Sequence, residues 1–207
     1  KKVSQFIYAS SGSVYGVSDK KNVTEEVELN PISEYNKTKM VSERVLLSYS
    51  NRMSIQIVRP ATVCGYSPRM RLDISVNALT MSALEQSKIF VHGGTQIRPN
   101  IHIDDITDLY LFLIEHGSEF NGIYNAGFEN LSILETANKV SNTINSAIEV
   151  EDSIDPRSYR LDSTKLKNIG FKRSYGVIDA INELNYNYKN KNLKKNPRFF
   201  SINWLKK

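Results

Sequence analysis

The order in which the apolar residues change their spacing constrains this chain more than any other feature. Gln5-Phe6-Ile7-Tyr8-Ala9 is a short β-prone run that opens into Ser10-Ser11-Gly12-Ser13, and it reads as a buried strand leading into a loop. From Tyr35 to about Ser50 the spacing turns helical, with Met40, Val41, Val45, Leu46 and Tyr49 recurring at three- and four-residue intervals. Pro31 lies just before that stretch, where it does not break a helix. Ser54-Ile55-Gln56-Ile57-Val58 reads as a second strand, ended by Arg59-Pro60. A strand, a loop, a helix and a strand in that order make a parallel βαβ unit.

The alternation continues to the end of the chain. Helices are expected over 73–86, from near Asp105, from Ser132 to about Ile144, from Asp162 and over 177–188. Ser132-Ile133-Leu134-Glu135 has the spacing of a capping box, and Asp105 gives the second of these helices an acidic start that suits the helix dipole. Short strands are expected over 88–92, 100–103, 123–126 and 147–150. The fold class is therefore α/β.

Composition narrows the function classes. Hydrophobic residues at 40% and charged residues at 24% describe an ordinary globular chain. No apolar run approaches the roughly 20 residues of a membrane span, so no membrane partner is expected. Cys64 is the only cysteine, which excludes an intrachain disulfide and a cysteine-based zinc site and fits a reducing, cytoplasmic setting. His92, His102 and His116 lack metal-ligand spacing, and no metal site is read from them. The net charge of +5 gathers partly in the basic tail 189–207, which is read as a solvated terminus rather than a nucleic-acid surface.

The chemistry begins with Tyr35 and Lys39. Residues four apart share a helix face, so the Lys39 ammonium can lie near the Tyr35 phenol. A phenol is a poor base near neutral pH, and an adjacent positive charge favours its phenolate. Such a group can take a proton from a sugar hydroxyl while the carbon beneath gives up a hydride. Alone the pair is weak, because a chain this rich in Tyr and Lys holds about one by chance, and an exposed helical turn explains it equally well. Ser10-Ser11-Gly12-Ser13-Val14-Tyr15-Gly16 adds context. It places hydroxyls directly after a strand, at the carboxyl end where ligands gather in parallel sheets, although a Ser-rich turn is the plain alternative.

Five collinear segments together resemble the extended short-chain dehydrogenases/reductases of the NAD-dependent epimerase/dehydratase kind, which act on nucleotide sugars. They are the Ser-Ser-x-x-Val-Tyr-Gly loop at 10–16; Pro31 through Lys39; Val58-Arg59-Pro60-Ala61-Thr62-Val63-Cys64-Gly65; Gly94-Thr95-Gln96-Ile97-Arg98 with Ile101-His102-Ile103-Asp104-Asp105; and Arg157 through Phe171. The resemblance implies a Rossmann-like parallel sheet with a small α/β substrate lobe. Residues 1–66 and 100–127 would form the carboxyl-terminal half of the NAD(P)-binding domain, and 67–99 with 128–188 the lobe. It implies Tyr35 as acid/base, Lys39 as the residue that orients the cofactor ribose, and Ser11 as a hydrogen-bond partner of the reacting oxygen. Ala9 and Pro60 would border the cofactor, NAD or NADP. Ser13, Thr62, Asn77, Arg98 and Arg157 would line the nucleotide-sugar site, the two arginines clamping its diphosphate. A homodimer through the Tyr35–Lys39 helix is implied as well.

The departures from the family pattern are also informative. Gly12 and Ser13 stand where sugar dehydratases carry acidic residues, which favours a 4-epimerase over a dehydratase. A 4-ketosugar reductase and a catalytically inactive truncated member are the alternatives. Thr62 replaces a common Asn, and Cys64, replacing a common Tyr, reads as packing. The family's Gly-rich turn, in which a helix N-terminus holds the pyrophosphate, follows no strand here. The chain is therefore expected to be part of a longer protein or a truncated product, with the edge of residues 5–9 in need of a cover.

Overall fold

A computed structural model describes residues 2–18, 20–153, 158–193 and 196–201. The chain starts with strand β1 (Gln5–Ala9) and a single 3-10 turn at Gly12–Tyr15. Helix α1 (Glu34–Leu47) follows and then strand β2 (Ser54–Pro60). The Ser33 hydroxyl caps α1 by accepting from the Asn36 amide, and Glu34 lies in its positive first turn. β1 and β2 pair in parallel, Ala9 opposite Val58, as the βαβ pattern requires. All of β2 except Pro60 is buried, including the polar Ser54, Gln56 and Arg59, each of which is hydrogen-bonded.

Strand β3 (Thr62–Cys64), helix α2 (Ser75–Gln86), strand β4 (Lys88–His92), strand β5 (Ile97–His102) and helix α3 (Ile103–His116) come next. Then follow β6 (Gly122–Ala126), β7 (Glu129–Ser132), α4 (Ile133–Ile144), β8 (Ala147–Glu151), α5 (Thr164–Asn168) and α6 (Val177–Lys189). Three sheets result among the described residues. The first runs β1-β2-β6, all parallel; the second runs β3-β5-β7; β4 and β8 form a parallel pair of their own. β1 is an edge of the first sheet among the described residues. A hydrophobic core under the first sheet includes Val14, Val58, Leu109, Leu113, Tyr124 and Phe171. Burying a leucine as completely as Leu109 contributes about 1.5 to 3 kcal/mol. A second core, with Val76, Ile89, Val140, Ala180 and Ile181, joins α2, α4, α6 and β4.

The differences from the expected elements have local causes. β5 begins at Ile97 rather than Asn100, because Pro99 sits inside a strand although it lacks a ladder donor. α3 begins at Ile103, because the His102 ring takes the cap position and its Nδ1 accepts the Asp104 amide at 3.2 Å. β3 and β7, three and four residues long, are too short to carry a period. Together they draw 62–64 and 97–102 into a second sheet, away from β1, β2 and β6. No helix among the described residues is long and apolar enough to cross a membrane.

Candidate active site

Parallel pairing brings the carboxyl ends of β1 and β2 side by side, and α1 crosses behind them. Three successive residues at the end of β1 are each tied to α1. The Lys39 ammonium donates to the Ala9 carbonyl at 2.7 Å. The Ser10 hydroxyl donates to the Glu43 carboxylate. Ser11 Oγ lies 2.7 Å from Ser13 Oγ, which in turn donates to the Asn36 side-chain carbonyl at 2.7 Å. Because the Ser13 proton goes to Asn36, Ser11 donates to Ser13 in this arrangement and also accepts the Ser13 amide at 3.2 Å. The Lys39 ammonium lies 4.9 Å from the centre of the Tyr8 ring and 5.7 Å from that of Tyr35, as the four-residue spacing predicts.

A cavity of about 900 Å³ opens beside these residues. Ser11, Ser13, Tyr35, Pro60 and Thr62 line it together with Arg71, Ser82, Phe90, His92, Arg98 and Tyr159. Its volume lies in the range of pockets that enclose a small organic ligand. Tyr35 is 56% exposed, so its phenol is free to meet a ligand. Ile74 and Ser75 bring the amino end of α2 to the same wall, where the helix dipole favours an anion. Two glycines hold the serine loop in shape. A Cβ on Gly12 would lie 2.7 Å from a Leu161 methyl and 3.2 Å from the Pro60 carbonyl. Gly16 has φ +71, and a Cβ there would collide with the Asn30 carbonyl.

Beneath the loop lies a buried polar network. Arg59 forms a bidentate pair with Glu43, Nε to Oε1 at 3.0 Å and Nη2 to Oε2 at 2.6 Å, with both side chains almost fully buried. Arg59 Nη1 also donates to the Tyr15 hydroxyl at 2.7 Å, and that hydroxyl donates to Asn125 on β6 at 2.8 Å. Burial pushes the Tyr15 phenol up to about 12 even though Arg59 pulls the other way, so Tyr15 remains a neutral donor. Burial opposes the charge of Arg59, but the hydrogen bonds and charge interactions of Glu43 and Tyr15 together outweigh it, and its pKa rises above the ordinary value. Burial raises the Cys64 thiol to about 12, which fits the packing role read from the sequence.

Comparison with known proteins places this arrangement. The sequence profile described as the NAD dependent epimerase/dehydratase family matches residues 1–127. The chain belongs to this family. It is 26% identical over 204 residues to a UDP-glucose 4-epimerase of Lactobacillus helveticus, covering 86% of this chain and 62% of that protein. It resembles the UDP-glucuronic acid 4-epimerase of Bacillus cereus, solved with UDP-glucuronic acid and NAD, at 26% identity and a TM-score of 0.76, covering 89% of this chain and 62% of the other. A dTDP-glucose 4,6-dehydratase of Bacillus anthracis, solved with NAD, shares the fold at 21% identity and a TM-score of 0.76, with 90% and 62% covered. The chain therefore spans rather less than two thirds of these relatives.

For a member of this epimerase/dehydratase family, the residues read from the sequence divide clearly. Ser11, Ser13, Tyr35, Pro60, Thr62 and Arg98 share the cavity wall. Ala9 and Lys39 meet each other just behind it. Arg157 lies outside the described residues. Asn77 is not brought to this cavity. It is 1% exposed, and its amide is engaged with the Gly65 backbone and the Arg71 carbonyl, so it holds the turn after β3 in place. Asn36, Glu43, Arg59 and Arg71 were not singled out from the sequence. Asn36 and Glu43 sit on the Tyr35–Lys39 helix, and that adjacency was the one signal available.

His102, Asp104 and Glu183 bring ligand atoms within 4.8 Å of one another. The ring of His102 is already engaged on both sides: Nδ1 accepts the Asp104 amide, and Nε2 faces Glu183 Oε2 at 3.2 Å. Glu183 also accepts the Tyr66 amide, so this group is a satisfied hydrogen-bond cluster.

Proposed function

We propose that the protein is an NAD-dependent nucleotide-sugar 4-epimerase and that this chain supplies its catalytic and sugar-binding part. The carrying observation is that Tyr35, Ser11 and Ser13 share one cavity with Arg98, with Lys39 held behind Tyr35 by the Ala9 carbonyl. Tyr35 takes the proton from the sugar C4 hydroxyl and returns it after the sugar has turned. Ser11 holds the reacting oxygen, exchanging its bond to Ser13 for one to the substrate. Arg98, with Arg157, holds the diphosphate, near the amino end of α2. The relatives' UDP-sugars make a uridine-diphosphate sugar the favoured substrate.

NAD supplies the hydride acceptor when bound. The donor set at this end suits its nicotinamide ribose: a phenol, an ammonium and the Ala9 carbonyl at a sheet's carboxyl edge, with Pro60 alongside. Residues 1–66 with 100–127 would carry that end, and 67–99 with 128–188 the sugar lobe. Among the described residues no strand leads through a Gly-rich turn into a helix, and the cofactor contacts proposed are those at its nicotinamide end. An epimerase is favoured over a dehydratase because Gly12 and Ser13, which follow Ser11, offer no acid. α1 turns Val41 and Val45 outward at 52% and 54% exposure, which supports a homodimer across this helix. A cytoplasmic setting agrees with the lone buried thiol.

The test is incubation of the whole protein with UDP-glucose and NAD, following the sugar by proton NMR and the cofactor by absorbance. Conversion to the C4 epimer with no net NADH is expected. Stoichiometric consumption of NADH with a 4-keto sugar would indicate the reductase instead.

A further inference from the structure

Tyr35, Lys39 and Glu43 follow one another at four-residue intervals along α1, so one helix face carries all three. Tyr35 faces the cavity and Lys39 reaches the Ala9 carbonyl. Glu43, one turn deeper and 2% exposed, accepts the Ser10 hydroxyl and the Arg59 guanidinium together. Ser10 is the neighbour of Ser11, and Arg59 is the neighbour of Pro60. One carboxylate therefore binds the helix carrying the acid/base to both strand ends that border the cavity. Arg59 extends the same grip to Tyr15, at the far end of the serine loop, and to the Glu25 carbonyl at 3.3 Å.

A buried ion pair is a weak device for stability alone, because desolvation of both charges offsets much of their attraction. It is a good device for fixing geometry: the bidentate fork allows one orientation, and the low-dielectric surroundings stiffen it. The other ties across this gap differ in kind. Lys39 holds a single carbonyl from a half-buried position, and Asn36 is reached only through Ser13.

We propose that Glu43 is a positioning residue for the proton transfer. Through Ser10 and Arg59 it sets the distance between the Tyr35 phenol on α1 and the Ser11 hydroxyl on the β1 loop. It touches neither substrate nor cofactor. The proposal rests on the epimerase reading for the identity of the reaction, but not for the geometry it describes. Small losses of alignment are costly in such a site, where a displacement of about 1 Å lowers the rate on the order of 100-fold.

Ser10→Ala removes the loop's tie to Glu43 and leaves the Glu43–Arg59 pair intact, so the fold is retained. Glu43→Gln weakens both ties. The proposal predicts that kcat falls about tenfold in Ser10→Ala and on the order of 100-fold in Glu43→Gln, with KM within about twofold of the parent in both. Val140→Ala, in the separate core of α4, serves as the stability control and leaves kcat unchanged. The second readout needs no turnover. Fluorotyrosine placed at Tyr35 gives one fluorine resonance in the parent, and it should shift or split in Ser10→Ala but not in Val140→Ala. Unchanged kcat in Ser10→Ala with an unchanged Tyr35 resonance would overturn the proposal, as would a loss seen only in KM. If the parent epimerises no sugar, the reaction assignment fails separately and the fluorine signal alone decides the role of Glu43.

Discussion

Helices α1 and α4 have similar lengths and opposite interiors. α4 buries Thr136, Ala137 and Val140, leaves Glu135, Asn138 and Asn142 exposed, and is closed at its start by a reciprocal capping box between Ser132 and Glu135. α1 buries Asn36 and Glu43 and leaves Val41 and Val45 outside. An amphipathic helix is ordinarily held by its apolar stripe. α4 follows that rule. α1 is held instead by directed polar contacts to Ala9, Ser10, Ser13 and Arg59. Apolar packing tolerates small slippage, whereas a set of hydrogen bonds with fixed partners does not. The difference shows where the fold fills space and where it fixes geometry.

Single substitutions can sharpen this contrast. The largest stability loss is expected from Glu43→Ala, which leaves the Arg59 charge buried and alone. It should cost about 3 to 5 kcal/mol in chemical denaturation. Val140→Ala in α4 should cost about 2 to 3 kcal/mol, as a cavity in an apolar core does. If the two losses were reversed, the polar mooring of α1 would be minor. Ser132→Ala should cost about 1 kcal/mol by removing the cap of α4.

The same cap gives a pH signature. Its hydrogen bonds with Ser132 hold the Glu135 carboxyl below the usual range. The folded value is depressed, so its contribution is fully present above the ordinary glutamate pKa near 4.3 and is lost as pH falls through the lowered value. Protection of the first-turn amides of α4, taken as the exchange rate relative to that of an unstructured chain at the same pH, should fall there, and in Ser132→Ala it should already be low and change little with pH. The smallest effect on folding belongs to Val45→Arg, an exposed position where stability should change by less than about 0.5 kcal/mol. The same change should nonetheless dissociate the proposed homodimer in size-exclusion chromatography.

Much of this was legible in the sequence. Gln5–Ala9, the strand from Ser54 to Val58 (which runs on to Pro60) and the Ser132–Glu135 box announced themselves because strand propensity, helical period and capping chemistry are local. The Tyr35–Lys39 pair was legible for the same reason. Glu43 and Arg59 were not, because burial of a charge depends on a partner 16 residues away and on the sheet that joins them. The apolar spacing of Val41 and Val45 correctly indicated a helix without indicating which face the fold would cover. Asn77 shows a different limit: its residue type suits a phosphate contact, whereas in the folded chain its amide holds the turn at Gly65, a pairing that its residue type does not announce.

The most direct measurement is steady-state turnover of the whole protein carrying Tyr35→Phe, alongside binding of the same UDP-sugar. Loss of the phenolic proton acceptor should lower kcat by roughly 100- to 10,000-fold while sugar binding and thermal stability stay near the parent values. Turnover at the parent rate in Tyr35→Phe would contradict the account, since the chemistry would then lie elsewhere than the end of α1.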